Sequence, residues 1–255
     1  MTAAVIAQDH GTRRDLTLSR PERGNCLSQD MVAALGSELD RAAQDGVRLL
    51  VFRGAGRHFC TGFDLSDLDT VNDAQLLARF VAIEMLLARI WSAPLETAVA
   101  AQGRIVGAGA DLFACCSMRI ATPDASFAFP GAGFGLILGT RRLGQRIGPD
   151  LAADMIRTGR QMKCDEGQLA GLVTHCASED QQDIVLEHQA ANAGRLDVTT
   201  TAQMRAVLGA DAPALDGDLA ALVRSAARPG LCDRIRAFRE KTRAENATRK
   251  KEMAS

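Results

Sequence analysis

A glycine-rich stretch from Gly103 to Asp111 is the feature of this sequence that most constrains its fold. It reads Gly-Arg-Ile-Val-Gly-Ala-Gly-Ala-Asp, between an apolar run of β type at 98–101 and an apolar, helix-like run at 112–116. When a strand is followed by a glycine turn and then by the first turn of a helix, backbone N–H groups and the positive end of the helix dipole point at one place. That place suits an anion or a polarised carbonyl oxygen. A turn that only packs a helix against a sheet remains an equally open interpretation.

The composition argues against several classes of function. The net charge is −1, so no sequence-wide field favours nucleic acid or an anionic membrane, and the absence of Tyr removes that residue as a catalytic acid. No apolar run is long enough to span a bilayer, and the N-terminus lacks the basic and apolar regions of a signal peptide. The seven cysteines show no C-x-x-C spacing, which indicates reduced thiols and no zinc site. We therefore expect a cytoplasmic protein that needs no metal.

The first half of the chain alternates strands and helices. Apolar runs at 5–7 and 16–18, separated by His10-Gly11-Thr12, predict a hairpin. Ser28 is expected to cap a helix that ends near Asp45. A buried strand is predicted at 49–52. The spacing of apolar residues predicts a long amphipathic helix from Asp73 to Trp91. Its apolar face consists of Leu76, Leu77, Phe80, Met85, Leu87 and Ile90.

The second half ends in helices only. Its predicted elements are strands at 119–121, 126–129 and 172–174, two helices at 140–159 divided by Gly148-Pro149, a helix capped by Asp165, and helices at 180–194, 199–209, 214–227 and 231–247. This order predicts an α/β core with a helical C-terminal appendage and no independent domains. We place the core at 1–195 and the helical region at 196–255.

Six stretches carry recognisable motifs, namely 20–27, 58–65, 103–111, 139–143, 165–172 and 236–241. In the same order along the chain, they resemble the motifs R-P-x-x-x-N-A-L, F-[CS]-A-G-x-D-[LI], G-x-A-x-G-G-G-x-E, G-G-T-Q-R-L, A-x-x-x-G-L-V and A-F-L-E-K-R of the crotonase (enoyl-CoA hydratase/isomerase) superfamily. The resemblance implies a repeated ββα superhelix, the crotonase spiral. It also implies C-terminal helices that build a homotrimer or a dimer of trimers, and an acyl-CoA thioester as substrate, as in fatty acid metabolism. No cofactor is implied beyond the coenzyme A of the substrate.

The resemblance also assigns site residues. The two backbone N–H groups of the family's oxyanion hole fall on Phe63 and Ala108, and the first catalytic acid/base falls on Asp111. Two fixed donors suit a thioester, because its oxygen collects negative charge as an enolate forms. The implied contacts to coenzyme A are Arg23, Cys60, Thr61, Gly62, Asp64 and Gly107.

The carboxylates are where the sequence departs from the family pattern. Asp111 is one methylene shorter than the usual Glu, and Gly131 follows Pro130 where the second Glu of the hydratases stands. No carboxylate occurs from 125 to 149, and the loop after Gly135 is shorter than in the family. Two-carboxylate hydration is therefore not what this sequence predicts. His58 is an alternative base, although a His before such a turn is more often a surface residue.

Three functions remain open at this stage. The first is enolate chemistry on an acyl-CoA, as a lyase or isomerase with Asp111 as the single acid/base, for which double-bond migration fits better than hydration. The second is hydrolysis or decarboxylation of a CoA thioester on the same scaffold. The third is a catalytically weak CoA-binding subunit. The acyl chain is not predicted, because the residues that line its pocket lie in variable segments.

Overall fold

The computed structural model describes the backbone of residues 3–253 and the side chains of residues 3–245, 247 and 248. The strands are β1 Val5–His10, β2 Arg13–Leu18, β3 Leu49–Gly54, β4 Glu96–Ala101, β5 Arg104–Val106, β6 Met118–Ala121, β7 Ser126–Ala128, β8 Met162–Lys163 and β9 His175–Cys176. The α-helices are α1 Gln29–Gln44, α2 Asp73–Trp91, α3 Ala108–Cys115, α4 Thr140–Ile147, α5 Pro149–Thr158, α6 Cys164–Ala170, α7 Glu179–Asn192, α8 Val198–Arg205, α9 Ala212–Ala226 and α10 Leu231–Met253. Among the described residues, no helix is both long and apolar enough to cross a membrane.

Two sheets organise the chain. The larger has the order β1-β2-β3-β4-β6-β9; its first pair is antiparallel and the others are parallel. The smaller has the order β5-β7-β8 and contains the strand that leads into the glycine turn. The predicted α/β class is thus confirmed.

Strand β3 shows how the larger sheet is buried on both faces. Leu50 and Phe52 belong to the main core, which includes residues of α1 and α2. Leu49 and Val51 point the other way and pack in a second cluster with Leu186 of α7. Alternate side chains of a strand face opposite sides, so a sheet covered on both faces needs a continuous apolar run.

Several predicted elements are confirmed. The hairpin forms between β1 and β2. The Ser28 side chain accepts a hydrogen bond from the Met31 N–H at 3.2 Å and caps α1. The long helix runs from Asp73 to Trp91 as expected, and a capping box between Asn72 and Gln75 fixes its start.

Other predictions are wrong. Helix α6 begins at Cys164, so Asp165 lies in its first turn and does not cap it. The last strand is His175–Cys176, three residues beyond the predicted start, because the preceding apolar residues are buried outside the sheet ladder. Met85, placed on the apolar face of α2, is 54% exposed.

The C-terminal helices fold back over their own chain. Leu222 of α9 and Ile235 of α10 are fully buried in a cluster with Leu76 and Phe80 of α2. The Asp73 carboxylate accepts hydrogen bonds from three backbone N–H groups at the start of α10, at 2.8 to 3.0 Å. The sequence predicts that an apolar stripe on these helices joins subunits; its residues are Leu219, Leu222, Val223, Ile235 and Phe238. Leu222 and Ile235 of this C-terminal stripe are covered within one chain. The boundary between 195 and 196 stays a prediction, and the last two residues of the helical region lie outside those described.

Candidate active site

Two glycine turns pack against each other. Gly62 has φ 107° and Gly107 has φ 55° with ψ −129°, conformations that only glycine adopts readily. The turns are closely packed: a Cβ placed on Gly62 would lie 3.0 Å from the Val106 carbonyl oxygen and 3.9 Å from the Ala108 nitrogen. A side chain at Gly62 would thus enter the space between the turns.

Hydrogen bonds on both sides hold the 60–64 segment in place. The Leu27 N–H donates to the Gly62 oxygen at 2.7 Å, and the Asp64 N–H donates to the Leu27 oxygen at 3.2 Å. On the other side the Val106 N–H donates to the Cys60 oxygen at 3.0 Å. These bonds engage the neighbours of Phe63 but not the Phe63 N–H itself.

The N–H groups of Phe63 and Ala108 are two donors in these turns that remain free to bind a ligand. Within residues 3–253, neither group donates a hydrogen bond to a protein acceptor. Ala108 is the first residue of α3, where an N–H has no partner inside the helix. The loops around these donors line one cavity, so the geometry provides a site for an oxygen that carries negative charge.

Asp111 lies one turn into α3, and its N–H donates to the Gly107 oxygen at 2.9 Å. The residue is 5% exposed, and Oδ1 is buried without a hydrogen-bond partner among the described residues. Gly139 covers this oxygen so closely that a Cβ there would lie 2.0 Å from Oδ1. Burial raises the pKa of Asp111 well above 3.8, against the opposing effect of the Arg142 guanidinium.

A buried ion-pair network joins the elements around Asp111. Arg142 of α4 forms two hydrogen bonds with Glu84 of α2, at 2.8 and 2.5 Å, and both side chains are 1% exposed. Arg142 also pairs with Asp218 of α9 at 3.0 Å, and Arg141 binds the same carboxylate. The network fixes the start of α4, and with it Gly139, against α2 and α9.

The cavity beside Asp111 has a volume of about 150 Å³ and a largely apolar wall. Among the described residues that line it, Asp111 carries the only carboxyl group and Arg239 the only positive charge. Gly131 also lines the cavity, so no second carboxylate faces Asp111 from the position of the family's second Glu. The remaining lining comes mainly from Phe63, Phe80, Val106, Phe129, Phe134, Leu136, Leu138, Leu143, Ile156, Ile235 and Phe238.

The predicted contacts to coenzyme A lie in different surroundings. Thr61, Gly62 and Gly107 line the cavity, and the Thr61 hydroxyl donates to the Gly24 oxygen at 3.1 Å. Arg23 is exposed outside the cavity. Cys60 is fully buried in the core, so its predicted contact with coenzyme A does not agree with its position, because no part of it reaches a ligand surface.

Asp64 makes internal contacts. Its carboxylate pairs with Arg20 at 2.9 Å and accepts a hydrogen bond from the Ser66 N–H at 3.0 Å. Burial raises the pKa of Asp64, whereas these hydrogen bonds lower it. The net result is a pKa below the ordinary value of an aspartate. Asp64 borders a second, more polar pocket and does not line the cavity of Asp111.

The alternative base His58 lies outside the cavity. Its Nδ1 accepts a hydrogen bond from the Arg104 N–H at 3.2 Å, and burial lowers its pKa. From the sequence, Arg142 is a candidate for binding a coenzyme A phosphate or for a surface salt bridge, and its burial is not predicted. Sequence reasoning missed Gly139 and Arg239. Gly139 stands within the motif at 139–143, and Arg239 stands where the A-F-L-E-K-R motif has Leu, which is the sequence signal for it.

Known proteins resemble this chain over most of its length. A family model described as enoyl-CoA hydratase/isomerase matches residues 14–212. A crystal structure from Bordetella parapertussis, assigned by its name to the enoyl-CoA hydratase/isomerases, is 43% identical with a TM-score of 0.89, and the match covers 93% of this chain and 98% of that one. An enoyl-CoA hydratase/isomerase from Xanthobacter autotrophicus Py2 is 26% identical with a TM-score of 0.78, over 95% and 94% of the two chains.

A curated relative matches over a smaller share. Bovine enoyl-CoA hydratase domain-containing protein 2, a mitochondrial protein, is 30% identical over 186 residues. That match covers 69% of this chain and 61% of the bovine protein. The chain therefore matches less than two thirds of the length of that relative.

Proposed function

Because the chain belongs to the enoyl-CoA hydratase/isomerase family and has its fold, we propose that it is an enzyme that forms the enolate of an acyl-CoA thioester and moves one proton with Asp111. The substrate's thioester oxygen binds the N–H groups of Phe63 and Ala108. Coenzyme A enters as part of the substrate, along Thr61 and the glycine turns. The observation that carries the proposal is the buried carboxyl group of Asp111, the only carboxyl among the described residues that line the cavity, near two N–H groups that have no partner among the described residues.

The oxyanion donors supply the electrostatic part of the mechanism. Removing the Cα proton transfers charge to the thioester oxygen, and donors held in place by the fold need no reorganisation to meet it. One such donor contributes about 3–4 kcal/mol of transition-state stabilisation. The apolar cavity wall strengthens this effect, because it keeps the local dielectric low.

Asp111 supplies the proton transfer. In its ionised form it takes a proton from Cα of a 3-enoyl thioester, and the electron pair spreads over the dienolate to the thioester oxygen. The protonated carboxyl, whose proton exchanges with solvent during the reaction, then donates a proton to Cγ, which gives the 2-enoyl thioester. The step is balanced without water. Double-bond migration is therefore the reaction we propose, since hydration in this family uses a second carboxylate and Gly131 provides none.

Isotope exchange tests this function. The protein is incubated in D₂O with 2- and 3-enoyl-CoA thioesters, and deuterium at Cα and Cγ is measured by mass spectrometry. We expect exchange with the wild type and a loss of about 10²-fold or more in kcat/KM for Asp111→Asn, which keeps the side-chain shape but removes the base. Equal rates for both proteins would contradict the role of Asp111.

The same assay separates the other functions. Release of free coenzyme A thiol without Cα exchange would indicate a hydrolase. Tight binding with neither exchange nor thiol release would indicate a CoA-binding subunit. Addition of water to a 2-enoyl thioester at a rate that exceeds migration would show that Asp111 suffices for hydration, and would overturn the proposed reaction.

A further inference from the structure

Arg239 brings a positive charge to an otherwise apolar part of the cavity wall. It lies on α10, is partly buried, and lines the same cavity as Asp111 together with Leu65 and Ile235. The corresponding position of the A-F-L-E-K-R motif holds Leu. Packing at this position thus does not require a charged side chain.

The guanidinium has no anionic partner among the described side chains. Its one hydrogen bond to a described residue is long, from Nη1 to the Leu65 oxygen at 3.4 Å. Other arginines near it are paired: Arg236 with Asp69 and Asp233, and Arg79 with Asp67. An arginine stays charged at any ordinary pH, and partial burial without a counterion is unfavourable.

Asp111 does not neutralise this charge. No ion pair joins it to Arg239, both being described residues, and burial favours the uncharged form of the Asp111 carboxyl. The cavity therefore has one cationic group, without an anionic partner among the described side chains, on an apolar wall. A ligand that fits it combines a hydrocarbon segment with an anionic group.

We propose that Arg239 binds a carboxylate at the distal end of the acyl chain, so that the preferred substrates are CoA thioesters of dicarboxylic acids. This inference rests on the proposed function, because it assumes that the acyl chain occupies the cavity. A guanidinium binds a carboxylate through two parallel hydrogen bonds, and this arrangement compensates the cost of burying both charges.

A phosphate group of coenzyme A is the other possible anion, and the structure favours the carboxylate. Phosphates need space and several cations. An adjoining groove of about 1170 Å³, whose wall includes Arg104 and Arg228, offers both. The cavity at Arg239 is smaller and mostly apolar.

A binding experiment tests the inference without requiring turnover. Isothermal titration calorimetry compares two saturated probes of equal length, hexanoyl-CoA and the mono-CoA thioester of hexanedioic acid, on the wild type and on Arg239→Leu. We expect the substitution to weaken binding of the diacid probe about 30-fold and to change hexanoyl-CoA binding less than about threefold. Arg236→Leu, three residues earlier on α10 and outside the cavity, is the matched control and should change neither. Arg239→Met provides a second variant in case Arg239→Leu folds poorly.

Three results would overturn the inference. An equal loss for both probes would mean that Arg239 contacts coenzyme A or supports the fold. A loss that disappears when the 3′-phosphate is removed from the probes would assign Arg239 to that phosphate. No loss for either probe would mean that Arg239 binds no ligand group. Failure of the proposed function would look different: the diacid preference would remain, and no isotope exchange would occur with any thioester.

Discussion

At the scale of single residues, Ala108 allows a direct test of its own N–H group. It occupies the first position of α3, where proline is well tolerated because that N–H lies outside the helix ladder. We expect Ala108→Pro to fold and to lose about 10²–10³-fold in kcat, measured by isotope exchange, because one oxyanion donor is removed. Ala108→Gly keeps the donor and serves as the control. An active proline variant would place the oxyanion site elsewhere.

The buried carboxyl of Asp111 predicts a pH dependence with a defined sign. Its pKa is raised, so the ionised base accumulates only above that raised pKa, and kcat/KM should rise with pH through a midpoint well above 3.8.

The same raised pKa predicts a change in stability with pH. The folded state binds the proton of the Asp111 carboxyl more tightly than the unfolded state does. The free energy of unfolding contributed by this carboxyl therefore falls as the pH rises past the pKa of the unfolded state. Asp111→Asn should therefore increase the free energy of unfolding relative to the wild type more at pH 8 than at pH 5. Urea denaturation at pH 5 and pH 8 measures this, and an increase no larger at pH 8 than at pH 5 would contradict it.

Gly139 is expected to be required for the position of Asp111 rather than only for its turn. It has φ 64°, and a Cβ would lie 2.0 Å from Oδ1 of Asp111. Gly139→Ala should displace the carboxyl and reduce kcat/KM about 10²-fold. Gly159 is the matched control, since it has φ 65° and no described atom lies within 4 Å of the position that an added methyl group would take. Gly159→Ala should show the backbone strain alone, with activity retained; similar activity losses in both variants would exclude a specific role for Gly139.

At the scale of elements, the contact between α2 and α4 depends on the buried pair of Glu84 and Arg142. Removing one partner leaves an uncompensated buried charge, so Glu84→Gln should lower the free energy of unfolding by about 3–5 kcal/mol in urea denaturation. Asp40→Asn removes an exposed pair with Arg89, which lies on α2 like Glu84, and should cost less than about 1 kcal/mol. Comparable effects of the two substitutions would show that burial does not determine how much the Glu84–Arg142 pair contributes to the free energy of unfolding.

At the scale of the whole molecule, we predict a homotrimer or a dimer of trimers. The C-terminal stripe no longer carries this prediction alone, because Leu222 and Ile235 are covered within the chain. Other large apolar side chains are exposed on the helical half, namely Leu169, Ile184, Val207 and Leu208. Sedimentation at micromolar concentration should give three or six times the 27.1 kDa of one chain. A single monomeric species would refute the prediction.

The sequence by itself determined the local elements and the identity of the glycine turns. The hairpin, the Ser28 cap and the helix from Asp73 to Trp91 depend on neighbours in sequence, so periodicity and capping chemistry sufficed to predict them. The two turns were likewise visible, because Gly62 and Gly107 adopt positive φ angles that the residue type itself permits.

Only the tertiary structure decided what surrounds the reactive groups. The residues that set the surroundings of Asp111 are distant from it in sequence. Gly139, which covers its carboxyl, is 28 positions away, and Arg239, which brings a charge to the cavity wall, is 128 positions away. The periodicity of a sequence does not predict such contacts. The same holds for Cys60, whose motif suggested a ligand contact and whose side chain belongs to the core. A motif states which residue types are present, whereas desolvation and counterions, which set pKa and specificity, arise from elements that the fold brings together.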